Sequence, residues 1–444
     1  MEILLTRTYN DETHKNCEQL PFSIDTDGGY NLINLYPEVC FEEFEGFGGA
    51  ITDSSAYVYS LMPENLKEEL INAYFSPDEM AYNIVRIHID SCDFSTEMYE
   101  AMSDPNDTKL KSFDFSRTEK YIIPMLKDAE KKAGKKLEIM LSPWSPPVFM
   151  KTNDSRIRGG SLKPEYAPMW AEYICRYIKE FLDRGFLVNR ISIQNEPRAR
   201  MPWDSCVYTP AEEKAFLEDH LYPAMIRHNL EHIEVFIWDH NKDYAFERTA
   251  EIVNGKARDM VSGVACHWYS GDHFETLALV RKLYPNLKLT MSESCIEYSR
   301  FKTENEFYKT ARLSHDIIGD FNHGVSSFYD WNMLLDEKGG PNHAGNFCQA
   351  PFMYDTENKE LIPQLIHNHF YHFSHFINKG AFRIGYSKYT EKFEITAFKN
   401  PDGAIVVVLL NRTEEALPAR VRIGDNVVDF SVGPKEICTG KILL

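Results

Sequence analysis

Short apolar runs, each closing on polar, glycine or proline residues, recur eight times along the first three-quarters of the chain. They are FEGFGGAI (44–51), YNIVRIHID (82–90), LEIMLSPW (137–144), VNRISIQNEP (188–197), IEVFIWDHN (233–241), SGVACHWYS (262–270), LKLTMSES (287–294) and VSSFYDWN (325–332). The runs are rich in β-branched and aromatic residues and do not alternate cleanly, as expected of strands buried on both faces of a parallel sheet. Between them, apolar positions fall at helical spacing. PENLKEELINAYF (63–75) and FSRTEKYIIPMLKDAEKKAGK (115–135) are the clearest, followed by 164–183, 210–229, 244–254, 273–284 and 303–320. Strand then helix through eight units predicts an α/β fold, a closed (β/α)8 TIM barrel. An open doubly wound sheet is the alternative, but it rarely runs to eight units, and no GxGxxG follows the first run.

Beyond about residue 380 the pattern changes. Strand-like segments are separated by the turn signals NPDG (400–403), NRTEE (411–415), IGDN (423–426) and VGPKE (432–436). They predict an antiparallel β-sandwich appended to the barrel. MEILLTRTY and YNLINLY, near the N-terminus, also read as strands and are expected to complete that sandwich. The expected division is 1–40 for N-terminal sandwich strands, 41–380 for the barrel and 381–444 for the C-terminal sandwich.

A chain of 444 residues with 43% hydrophobic content suits a barrel with a smaller partner unit. A net charge of −19 argues against a nucleic-acid partner, because phosphate binding needs a basic face. No apolar run reaches the roughly 18 residues of a membrane span. The start, MEILLTRTYN, lacks the features of a secretory signal. With nine scattered cysteines, an odd number, the expectation is free thiols in a reducing cytoplasm. No HExxH or CxxC pattern is present, so no metal site is expected.

In a barrel, chemistry sits at the C-terminal ends of the strands. The fourth run ends in Asn195-Glu196-Pro197 and the seventh in Ser292-Glu293-Ser294. A lone strand-end glutamate is more often a helix cap or a loop ion pair. Two of them, facing each other across one barrel mouth, are what glycoside cleavage requires. One carboxylic acid protonates the leaving oxygen while the other carboxylate attacks the anomeric carbon, with the carboxyl groups about 5–5.5 Å apart in a retaining enzyme. Partial burial and the anionic partner are expected to raise the pKa of the acid, Glu196. Asn195, next to it, has an amide suited to the sugar 2-hydroxyl.

The segments GFGGAITDSSA (46–56), YFSPDEMAYNIVRIHIDSCDFS (74–95), LSPWSPPVFMKTN (141–153), GGSLKPEY (159–166), QNEP (194–197), CHWYSGD (266–272), SESC (292–295) and DWNMLLDEKGGPNHAGNFCQAPFMYD (330–355) follow in order. Through them the chain resembles glycoside hydrolase family 30, in particular its glucosylceramidase-like branch. The resemblance implies a barrel with a side sandwich built from both termini, and a retaining mechanism without a cofactor. It implies Glu196 as acid/base and Glu293 as nucleophile. Asp93, Trp144 and Trp331 are implied to bind the sugar, with Asn195 on the 2-hydroxyl. Tyr269 is placed close to the nucleophile, His267 along the pocket wall, and Arg86 as a support near the nucleophile by hydrogen bonding or ion pairing. Core packing is the plain alternative for His267, Trp144 and Trp331, and a structural ion pair for Arg86.

Gln194 before Asn195-Glu196-Pro197, and His343 after Gly-Pro-Asn, depart from the lysosomal pattern of the family. Arg156, Arg158, Arg198 and Arg200 stand out in an acidic protein; they are expected to pair with nearby carboxylates, the alternative being that they read an anionic group on the substrate. The substrate expected is a small or oligomeric β-glycoside, first a β-D-glucoside. A β-1,6-glucan or a β-xyloside or xylan are the alternatives within the family. A carbohydrate-binding protein without catalysis is the rival of another class, disfavoured because both carboxylates are present.

Overall fold

The structure, a computed structural model, describes residues 1–9, 12–26, 28–301 and 303–443. Positions 10, 11 and 27 of the expected N-terminal unit, 302 of the barrel and 444 of the C-terminal unit lie outside the described residues. The eight apolar runs form eight strands: β1 (Gly46–Ala50), β2 (Ile84–Ile89), β3 (Glu138–Pro143), β4 (Leu187–Ser192), β5 (Glu234–Asn241), β6 (Gly263–His267), β7 (Lys288–Glu293) and β8 (Val325–Asn332). Each pairs with the next in parallel, and β8 pairs with β1 to close the barrel. Closure is tight at β1, where a Cβ on Gly48 would lie 1.8 Å from the carbonyl oxygen of Ile84.

Alternation along each strand divides the barrel into an outer and an inner face. Val85, Ile87 and Ile89 of β2 join the large apolar core under the helices. Ile84, Met140, Phe236, Ala265 and Tyr329 form a separate apolar cluster inside the barrel. The barrel is polar on both sides of that plug. Toward the N-terminal end, Arg190 pairs with Glu45 at 2.7 Å and Glu234 at 3.0 Å, and Lys288 bonds the same two carboxylates. Toward the C-terminal end lie Arg86, Ser142, Ser192, Asp239 and Ser292, all buried.

The helices fall on the expected stretches, with three further α-helices among the described residues, one of them the single turn Tyr298–Phe301. Asp53–Leu61 is capped by Thr52, whose side chain accepts from the Ser55 backbone N–H. Leu365–Ser374 follows β8 only after an excursion that forms a three-stranded sheet (Leu334–Asp336, Phe352–Asp355, Glu360–Pro363) and the strand Cys348–Gln349 against Ile296–Glu297. This helix lies between barrel and sandwich. His372 there bonds Thr8 and Thr439 of the sandwich, each at 2.8 Å.

Both termini enter one ten-stranded sheet, in which Glu2–Tyr9 pairs with Glu436–Leu443. The four turn signals each connect two of its strands. It is antiparallel except where Leu32–Glu43, which runs past residue 40, pairs in parallel with Leu417–Ile423. Strand Ile405–Asn411 shows why its run is continuously apolar. Ile405, Val407 and Leu409 fill the sandwich interior, while Val406, Val408 and Leu410 pack on the barrel side. All nine cysteines are free thiols, and among the described residues no helix is long and apolar enough to cross a membrane.

Breaking the cluster at the barrel floor separates its stability from its function. Arg190→Met leaves Glu45 and Glu234 to pair with Lys288 alone among the cations of the described residues, and removing one partner of a buried pair costs about 3–5 kcal/mol. Because these carboxylates keep some solvent contact, a loss near the low end, about 3 kcal/mol, is expected. It is measured as a lowered urea midpoint with turnover per folded molecule unchanged; an unaltered midpoint contradicts it.

Candidate active site

The polar layer at the top of the barrel is organised by Arg86, which projects inward from β2 and is wholly buried. Its Nη1 donates to Glu293 Oε2 at 2.6 Å, and its Nη2 to Asp239 Oδ2 and Asn195 Oδ1, both at 2.8 Å. Its Nε donates to Ser142 at 3.2 Å. The guanidinium carbon lies 4.8 Å from the Trp144 ring centre and 5.5 Å from that of Trp331, and the two indoles stack at 5.3 Å. Burial opposes the charge on Arg86, but the two carboxylates outweigh it and hold the guanidinium firmly protonated.

Asp239 is the second centre of the layer. Besides Arg86 it accepts from Ser192 at 2.5 Å, Ser292 at 2.6 Å and His267 Nε2 at 3.1 Å. Burial works against its charge, yet Arg86 and His267 keep the carboxyl far below the usual range. Asp239 owes its position to a break in β5, where Trp238 and Asp239 have φ of 74° and 45° and the pairing with β6 slips. Such backbone costs of order 1–3 kcal/mol per residue and persists only when over-determined. Here the Trp238 N–H donates to Glu213 at 3.0 Å, and Arg248 holds Glu213. Glu196 is also left-handed, with φ of 47°, and is fixed by its own N–H donating to the Asp239 carbonyl at 2.9 Å.

The two glutamates meet at a cavity of about 390 Å³ over the strand ends. Asp93, Trp144, Asn195, Glu196, Tyr269, Glu293 and Trp331 all line it. Both Glu293 oxygens are held, Oε2 by Arg86 and Oε1 by the Tyr269 hydroxyl at 2.8 Å. His267 Nδ1 stands 3.2 Å from Glu196 Oε1 and 4.0 Å from Glu293 Oε1, so those oxygens are at most about 7 Å apart. His267 itself does not line the cavity, contrary to expectation. It is completely buried behind Glu196, because β6 aims it into the barrel toward Asp239.

The charge on Glu196 also differs from expectation. Burial pushes its carboxyl up, but the hydrogen bond from His267 and the charges of His240 and His267 pull it below the ordinary value. The proton resides on His267 instead. Burial would lower that imidazole, but Glu293, Asp239 and Glu196 raise it to about 9. Asp93 moves the other way. Burial and then the Glu293 charge push its carboxyl up to about 8, while Asn346 donates to it at 3.1 Å. Asp93 is therefore a neutral acid at pH 7, able to donate as well as accept.

Sequence reasoning did not single out Asp239, His240 or Asn346. The first two were signalled by WDHN at the end of the fifth run; Asn346 arrives on the excursion after β8 and carries no such signal. Of the four arginines, only Arg156 pairs with carboxylates, with Asp204 at 2.7 Å and with Asp90 and Glu100 at longer range. Among the described residues Arg158, Arg198 and Arg200 make no ion pair; all three sit exposed on loops, and Arg198 stacks over Tyr244 at 4.2 Å. His343 ties the excursion down, bonding the Ser95 carbonyl at 2.9 Å and Asp204 at 3.0 Å.

The Glycosyl hydrolase family 30 TIM-barrel domain matches residues 44–377, and the Glycosyl hydrolase family 30 beta sandwich domain matches 380–439. The chain is 31% identical over 410 residues to the lysosomal acid glucosylceramidase of Mus musculus, covering 88% of this chain and 79% of that protein. It is 25% identical over 393 residues to an endo-1,6-beta-D-glucanase of Neurospora crassa, covering 84% and 79%. Among solved structures, SrfJ from Salmonella typhimurium superposes with a TM-score of 0.96 at 33% identity, over 100% of both chains. With the barrel match spanning most of its length and the sandwich match following it, this chain belongs to glycosyl hydrolase family 30.

Proposed function

We propose that this family 30 hydrolase is a retaining β-glucosidase of the glucosylceramidase type, with Glu293 as nucleophile and Glu196 as acid/base. The observation that carries the reading is the opposed pair: Glu293 clamped through both oxygens, and Glu196 across one cavity, within reach of the same imidazole. A separation of at most about 7 Å leaves little of the roughly 6.5–9.5 Å range of inverting enzymes.

In the first step Glu293 attacks the anomeric carbon as Glu196 gives its proton to the departing glycosidic oxygen, leaving a glycosyl ester on Glu293. In the second, Glu196 takes a proton from water, which attacks the same carbon and releases Glu293. An alcohol in place of water gives transglycosylation. Tyr269 and Arg86 hold the carboxylate in line and donate to it as it becomes a leaving group. Arg86 occupies Asn195 Oδ1, which leaves the Nδ2 amide to offer the sugar 2-hydroxyl. Trp144 and Trp331 supply the flat apolar wall that a pyranose face needs, and neutral Asp93 hydrogen-bonds its hydroxyls. The glucose preference rests on the glucosylceramidase relative, and the cavity suits one sugar with the start of an aglycone.

The acid is loaded through His267. In the free site Glu196 and His267 share one proton, and it lies on the imidazole. A substrate that covers Glu196 removes it further from water, which favours its neutral form and draws the proton across the 3.2 Å contact. The pair titrates as a unit.

Two experiments test this. On a panel of 4-nitrophenyl β-D-glucoside, xyloside, galactoside and fucoside, the glucoside is expected to turn over best. Glu293→Gln then lowers kcat by a factor on the order of 10⁴ or more, as loss of a nucleophile does, whereas undiminished turnover in that variant removes the assignment. The pH profile tests the proton. The wild-type kcat/KM is expected to fall as pH rises through about 9, where the shared proton leaves. In His267→Gln the alkaline limb moves to lower pH, because Glu196 alone must retain it. An unmoved limb contradicts the role given to His267.

A further inference from the structure

Three metal-capable side chains converge where the mechanism uses only two. Glu196 Oε1 lies 3.2 Å from His267 Nδ1 and 3.8 Å from His240 Nδ1, and one donor atom from each residue falls within 4.8 Å of the others. A tetrahedral zinc ion with bonds of about 2.0–2.1 Å sets its ligand atoms about 3.3 Å apart, so the three must close by no more than about 1.5 Å. His240 supplies an independent sign. Its Nδ1 is buried, has no hydrogen-bond partner and faces Glu196, although its side chain is 14% exposed at the cavity. A buried ring nitrogen without a partner is an unmet demand for one.

The geometry points to a second property of this site: Glu196, His240 and His267 bind a first-row divalent transition-metal ion such as Zn²⁺, which silences the glycosidase by taking the acid/base as a ligand. His267 is already oriented for it. Its Nε2 donates to Asp239, the outer contact that metal-binding histidines use to fix their tautomer, and its Nδ1 is left to the metal. Three protein ligands leave a fourth position for water on the cavity side. Two imidazoles and one carboxylate select zinc-like ions over Mg²⁺ or Ca²⁺, which want oxygen. Asp239 and Glu293 place further negative charge nearby, and the metal displaces the proton of His267. The inhibition rests on Glu196 being the acid/base; the binding does not.

The test is calorimetric titration of the full chain with ZnCl2, with Co²⁺ absorption as a report on the ligands. One ion is expected at a site that His240→Asn and Glu196→Gln each weaken by at least about 100-fold, the upper end of what loss of an outer contact costs. Co²⁺ there gives the intense visible bands of four-coordination without thiolate charge transfer. Zinc abolishes 4-nitrophenyl glucoside turnover over the same concentration range, EDTA restores it, and Mg²⁺ does nothing. Cys295 and Cys348 line the same cavity and are the competing ligands. Affinity lost in Cys295→Ser but kept in His240→Asn and Glu196→Gln overturns the site, as does an active enzyme that binds no zinc. Zinc held by these three residues with turnover intact overturns the inhibition and, with it, the role of Glu196.

Discussion

A guanidinium cut off from water needs anions beside it, and Arg86 has none of its surface exposed. Asp239 and Glu293 meet that need directly, and the remaining donors go to Asn195 and Ser142. The rest of the mouth follows from this one pairing. Glu293 is fixed because it completes the cation's shell. Trp144 and Trp331 can stack against each other because the same cation lies against both faces. The break in β5 is tolerated because only there does Asp239 reach Arg86, and Glu213 and Arg248 brace it from behind. The barrel thus carries a buried apolar plug with a charged cluster on each side, one at the floor and one at the mouth.

Asp239 also joins the two glutamates electrically. Through Arg86 it acts on Glu293, and through His267 on Glu196. Five ionisable groups share the layer, and their charges nearly cancel only with a proton on His267. That is why Glu196 sits below its ordinary value despite burial, and why Asp93, with no cation of its own, sits above. The charge on Glu196 is therefore set by its neighbours together more than by its own desolvation.

Much of this was legible in the sequence. The eight strands were visible because strands buried on both faces read as unbroken apolar runs. The facing of Glu196 and Glu293 was visible because the barrel fixes where strand ends meet. Helix Leu365–Ser374 was not, because a segment buried against both barrel and sandwich, LIHNHFYHFS, has no polar face to mark its period. Asp239 stood in view in WDHN, but its turn toward Arg86 comes from a backbone break that no periodicity records. The direction of the Glu196 shift depends on a histidine seventy-one positions away. The arginines of the β4 loop misled in the other direction: composition made them look paired, but exposed loops solvate a charge without a partner.

In the proposed reaction Glu293, held by Arg86 and Tyr269, forms the covalent bond to the sugar. An activated 2-deoxy-2-fluoro-β-D-glucoside slows both steps, and its good leaving group lets the first run ahead, so the intermediate accumulates. Peptide mass spectrometry of the trapped protein is the most direct measurement. One fluoroglucosyl group per chain, attached to Glu293, is expected. A label on any other residue, or no adduct in a preparation that hydrolyses the parent glucoside, would contradict it.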